Sequence, residues 1–118
     1  MLFRSLEGRI QVVVRKDLKL EWPRAETSTH WIAMGTDTSL VVATKTAIRE
    51  MVKLLQELAG ITPTQAYQAT SMAADAHITQ LVDGNVGVHM MIAKRVVTRT
   101  RHAAGDSAMH RAASRRRP

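Results

Sequence analysis

The chain has no cysteine among its 118 residues, so neither disulfides nor thiolate-bound metals are open to it. That fits a reducing compartment. Aromatic residues are nearly absent too: one Phe, one Tyr and two Trp. A core must therefore be built from Leu, Val, Ile, Met and Ala. No apolar run approaches the roughly 20 residues that span a bilayer. The apolar part of "MLFRSLEGRIQ" is too short for a secretory leader. These absences point to a soluble, cytoplasmic chain. Three motif classes are missing as well: a Gly-rich phosphate loop, His-Glu-x-x-His and Gly-x-Ser-x-Gly.

What is present is an ordinary globular composition with 45% apolar and 23% charged residues. The length allows one domain with a modest core. The net charge of +7 invites a nucleic-acid reading, but its location argues against one. Residues 1–93 carry nine Lys/Arg against nine Asp/Glu; residues 94–118 carry eight basic residues and one Asp. The body is neutral and the tail is basic.

Along the chain, "RIQVVVRKDLKLEWP" (9–23) holds a β-branched run and then alternation at Leu18, Leu20 and Trp22. It predicts one or two strands ended by Pro23, which lacks an N–H for the ladder. "STHWIAMG" (28–35) predicts another strand, stopped by Gly35. In residues 36–60, Leu40, Thr44, Ala47, Ile48, Met51, Leu54, Leu55 and Leu58 recur at helical spacing. Asp37 or Thr38 can cap that helix and Gly60 can end it. Thr62, Pro63 and Gln65 form a start signal for a second helix, running to about Ala73. "HITQLV", the turn "DGN" and "VGVHMMIA" predict a β-hairpin over 77–93. After Val97 the apolar pattern is lost, and residues 98–118 are expected to be a disordered Arg-rich tail. The order is β-β-β-α-α-β-β, an α+β arrangement in which two amphipathic helices cover one face of a mostly antiparallel sheet. The other face has no evident cover within residues 1–97.

Residues 72–94 gather the polar groups of interest. Asp75 and His77 are two apart and share a face only if both lie on a strand; Asp75 is instead expected to end the second helix. His77 reads as a solvated strand residue. Asp83 opens the turn, where carboxylates usually bond their own backbone; the alternative places it on the rim of a site. His89 lies in an apolar strand, on one face with Gly87 and Met91. It is either a hydrogen-bonded core histidine or a site residue. His30, before Trp31, poses the same choice. Glu26 and Asp37 read as strand-end and helix-cap groups. His102 and His110 carry no specific signal.

Three stretches together resemble the acetamidase/formamidase family. "WPRAETSTHWIAMGTD" is similar to that family's Pro-Arg-x-Glu-Thr-x-x-His-Tyr-x-x-Met-Gly. "ATKTAIREMVKLLQELAGITPTQAY" resembles the helices that follow it. "SMAADAHITQLVDGNVGVHMMIAK" resembles its closing Ala-x-Asp-Leu-Arg-x-Thr-Gln-x-Val-Asp and Gly-Val-His-Ala-x-x-Pro-Lys. The match runs from about residue 6 to residue 95, in order. It implies hydrolysis of short linear amides such as formamide or acetamide. It also implies a divalent metal, zinc or calcium, that activates water. His89 and Asp83 are then the catalytic-site candidates, and Thr79, Gln80 and His30 the substrate-side candidates. None of these is assigned as a metal ligand. The family's Gly-Asp-x-His-x-x-x-Gly-Asp-Gly-Glu motif, expected just upstream of "LEGRIQV", is absent from this sequence. The chain thus corresponds to the family's C-terminal third and is expected to be inactive alone. His77, Ala76 and Ala93 depart from the family's usual Arg, Leu and Pro.

Two other readings compete. One is a small nucleic-acid-binding protein that uses "RRRP". The other is an interaction module that self-associates or pairs with a separate N-terminal half. The tail reads better as a solvated charge run. A chain ending at Lys94 should then bind duplex DNA as the full chain does across a salt series. Binding lost with the tail, and steeply salt-dependent before its loss, would make the tail a nucleic-acid site.

Overall fold

Two short punctuation signals divide the helical region. Gly60 adopts a left-handed conformation (φ 63°), and its N–H closes the end of helix α1, Leu40–Ala59, by bonding the Gln56 carbonyl at 2.9 Å. Thr62 then opens helix α2, Pro63–Ala73, with a reciprocal cap. Its hydroxyl accepts from the Gln65 N–H at 3.3 Å, and the Gln65 side chain accepts from the Thr62 N–H at 3.0 Å.

The computed structural model describes residues 7–98. It places four strands around these helices: β1 (Arg24–Glu26), β2 (His30–Asp37), β3 (Ala74–Gln80) and β4 (Val86–Ala93). They form one antiparallel sheet in the order β1-β2-β4-β3. Helix α1 lies on β2 and β4, with α2 beside it. The α+β class and the antiparallel sheet expected from the sequence are both found. Among the described residues no helix is long and apolar enough to cross a membrane.

The core lies between α1 and the sheet. Met51, Leu55 and Ile92 are its largest fully enclosed side chains, with Leu54, Ile61, Val88 and Met90 around them. The helix meets the sheet at small residues: Ala33 and Gly35 on β2 face Ala43 and Ala47 on α1. A Cβ at Gly35 would stand 2.5 Å from the Ala43 carbonyl oxygen and 2.7 Å from the Ala47 nitrogen. Both obstacles are backbone, which cannot swing away.

Charge ties β1 to α1. Arg24 projects to the helix side of the sheet and grips Glu57 through two hydrogen bonds, at 2.6 and 3.1 Å. These hold the Glu57 carboxyl below its ordinary pKa. Glu50, only 3% exposed, lies 3.6 Å from Arg24 and takes a hydrogen bond from Lys53 at 2.7 Å. A buried carboxylate held this way avoids the heavy cost of an unpaired internal charge.

The structure corrects several sequence expectations. No strand forms over 9–23. Ile10, Val12, Val13 and Val14 are 66–87% exposed. β-branched residues favour a pleated surface but do not supply a partner, and among the described residues nothing pairs with them. The element order is therefore β-β-α-α-β-β. Pro23 does not end a ladder; it precedes the three-residue β1, and its carbonyl accepts from the Met34 N–H at 3.2 Å. Strand β2 runs past Gly35 to Asp37, and the first helix starts at Leu40, one or two residues later than a cap at Asp37 or Thr38 would place it. Ser39 is the cap residue, while Asp37 turns the chain by accepting the Ser39 N–H at 2.8 Å. Leu40 is exposed, whereas Ala43 and Glu50 are buried. Asp75 does not end the second helix. That helix stops at Ala73, and β3 begins at once with Ala74. Residues 94–98 add one helical turn, and Val97 joins the core. A cut that isolates the tail without opening the core falls after Thr98. The tail expectation for 99–118 lies outside the described residues.

Gly35→Ala is expected to destabilise the fold by about 1–3 kcal/mol through overpacking. The check is the urea unfolding midpoint. An unchanged midpoint would mean that α1 lifts off β2 without cost.

Candidate functional site

The β3–β4 hairpin turns at Asp83 and Gly84, both with positive φ (70° and 78°). That backbone twist suits a two-residue hairpin turn. A regular ladder from this turn pairs Gln80 with Gly87, as observed, and would go on to oppose Thr79 to Val88 and Ile78 to His89. It does not. A bulge between Ile78 and Gln80 shifts the register by one residue, so Ile78 pairs with Val88 and His77 pairs with His89. A one-residue slip exchanges the faces of a strand. The bulge therefore puts His77 beside His89 and keeps Ala74 and Ala76 on the helix side. It also sets both Thr79 and Gln80 against Gly87.

The outcome is a polar cluster on the sheet face opposite the helices. Paired residues point to the same side, so Met34, His89 and His77 form one row across β2, β4 and β3. Ile32, Met91 and Asp75 form the next, and Thr36 and Gly87 flank the bulge. The two imidazoles stack with ring centroids 5.1 Å apart and planes 12° from parallel. The Thr79 hydroxyl lies 2.6 Å from His89 Nδ1. Either can donate, depending on the tautomer, and in both cases the contact fixes the ring and leaves Nε2 free for another group. Burial, and secondarily the charge of His77, lower the His89 pKa from its ordinary value. His89 is thus a neutral imidazole near pH 7.

The other sequence candidates fall at different places. Asp83 stands at the exposed hairpin tip, beyond the last strand pair. It makes no hydrogen bond or ion pair with the histidines. His30 pairs with Ala93, four residues along β4 from His89, or roughly 13 Å at the strand rise. Its Nδ1 lies 2.8 Å from the Thr29 hydroxyl. Gln80 donates to the Val82 carbonyl at 2.9 Å and so braces the loop. Asp75 and His77 do share a face, as strand residues two apart must. His77 is exposed, as the sequence reading has it, but it stacks on His89, and that contact depends on a bulge with no sequence signal.

This sheet, with its helices on one side, has counterparts among solved structures. The fold matched is that of acetamidases. The acetamidase from Yersinia enterocolitica aligns with a TM-score of 0.66 and 27% identity, over 70% of this chain and 25% of that one. The acetamidase from Bacillus halodurans aligns with a TM-score of 0.61 and 20% identity, over 66% of this chain and 26% of that one. The chain thus spans about a quarter of the length of the solved acetamidases it matches. No family model matches the chain. No curated protein matches its sequence either.

The likeness raises the question of a metal. Among the described residues no group of three or more His, Asp, Glu or Cys is placed to hold an ion. The two stacked imidazoles do not fit the task as a pair. Their lone pairs lie in nearly parallel ring planes and run side by side instead of converging on one point. The described residues therefore do not by themselves make a zinc or calcium site, which needs three or more ligands.

A histidine whose folded pKa lies below its unfolded value stabilises the fold fully above the unfolded pKa. That contribution is lost as pH falls from the unfolded pKa through the folded one. His89 should accordingly titrate below 6.5 by NMR, and His77→Ala should raise its midpoint only in part, because burial is the larger cause. A full return to the ordinary value in that variant would mean that the neighbouring charge, not burial, sets the shift.

Proposed function

We propose that the chain is the C-terminal portion of an acetamidase/formamidase-type hydrolase of short linear amides, which yields a carboxylate and ammonia. The observation that carries this reading is the structural alignment with the Yersinia enterocolitica acetamidase, at 27% identity over 70% of this chain. The three motif stretches, matched in order from "WPRAETSTHWIAMG" to "GVHMMIAK", support it independently.

In this reading the uncovered sheet face is one wall of the amide site. His89 contributes a neutral imidazole, aligned by Thr79, that can exchange a proton or a hydrogen bond with a small polar substrate. Gln80 and Thr79, brought together by the bulge, border it. Asp83 lies on the rim of that wall and His30 at its far end. The divalent metal of the family is held, in this reading, by ligands beyond the described residues, which do not form its ligand set. The chain needs a partner for catalysis, either the N-terminal half of such an enzyme or an assembly that contains it.

Ammonia release from formamide tests this. The 118-residue chain alone should turn over formamide no faster than buffer. Adding the N-terminal portion of an acetamidase, with zinc or calcium, should restore turnover. In the restored complex His89→Ala should lower kcat by roughly 100-fold or more, the range of a lost acid–base group. Robust turnover by the chain alone would refute the need for a partner. No turnover in either case would leave a fold relative without the chemistry.

A further inference from the structure

On the far side of the molecule from the histidines, helices α1 and α2 enclose an open groove of about 550 Å³. Ile48 and Val52, one helical turn apart on α1, and Tyr67 from α2 make its floor and wall. Lys45, Arg49 and Lys53, also spaced by single turns, stand along it. No carboxylate lines the groove. Lys53 is already committed to Glu50 and Glu21. Lys45 and Arg49 have no carboxylate partner among the described residues, and the Tyr67 hydroxyl makes no hydrogen bond there.

A solvated helix face usually carries charges of both signs that pair at this spacing. Here two unpaired cations border an apolar trough, and Tyr67 remains 60% exposed beside it. We propose that the groove binds a single-chain amphiphilic carboxylate, such as a medium-chain fatty acid. Lys45 and Arg49 take the head group, and Ile48, Val52 and Tyr67 take the chain.

The two cations are four residues apart, about 6 Å along the helix, so one carboxylate can reach both. Arg49 offers a planar fork that matches a carboxylate edge. Burial of the alkyl chain against Ile48 and Val52 adds an apolar contribution that a bare anion lacks. The volume lies within the range usual for small-ligand sites and allows one chain. Neither the amide chemistry nor the uncovered sheet face is involved, so this site stands whether or not the hydrolase reading does.

The test is a titration of the full chain with decanoate, kept below its micelle concentration and followed by amide NMR shifts. Decanol serves as the uncharged match. Saturable shifts are expected at Ile48, Val52 and Tyr67. Decanol should bind at least about tenfold more weakly, which is the effect of losing one charge-assisted contact. The double variant Lys45→Gln/Arg49→Gln changes only exposed side chains. It should keep the helical circular dichroism of the parent while losing about tenfold in decanoate affinity. Three results would overturn the proposal: no saturable shifts, shifts that map to Ile32, Met34 and Met91 on the open sheet face, or equal binding by decanol and by the double variant.

Discussion

The approach of α1 to β2 at Gly35 sets the rest of the architecture. A chain with four aromatic residues cannot fill a wide gap between helix and sheet. It brings the two layers close instead, with Ala33, Gly35, Ala43 and Ala47 at the contact and Met51, Leu55 and Ile92 beyond it. Side chains alternate along a strand, so turning Gly35 inward turns Met34 outward. The pairing of Met34 with His89 then fixes which way His89 points. The polar face thus follows from a packing contact on the opposite side of the sheet.

The charged tie between β1 and α1 works differently. Arg24 is gripped by Glu57 and lies near Glu50, which is buried under Lys53. Such a cluster adds little net stability over a well-packed apolar one, yet removing Arg24 or Lys53 takes one of its two cations from the buried Glu50. Its effect is to define where the short edge strand sits. Among the described residues Arg24 Nε has no partner, a cost the cluster accepts for that placement.

The sequence is most readable where one residue carries a local backbone instruction. Gly60, the Thr62–Gln65 cap and the Asp83–Gly84 turn act over four residues or fewer, and all three are found. It is least readable where a partner decides. The valines at 12–14 have strand chemistry and, among the described residues, no strand to join. Arg24–Glu26 is too short to show a period, but pairs because β2 is there. The periodicity of α1 points to Leu40, while the sheet covers Ala43 and Glu50 instead. Within the candidate site, His89 and Thr79 could be picked out from their strand and their motif. Their contact, and the stacking of His77, depend on the bulge, and the turn alone implies the other register.

The strand order has a consequence in time. β3 and β4 are joined by a tight turn, and hairpins of that kind form in about 1–10 μs. β2 and β4 can pair only after the chain between them, which includes both helices, has been gathered in. Contacts that close long loops come at a greater entropic cost and slow the folding of a small domain. The two histidines therefore belong to a piece that can assemble early. Met34, which completes their row, joins through a far longer closure.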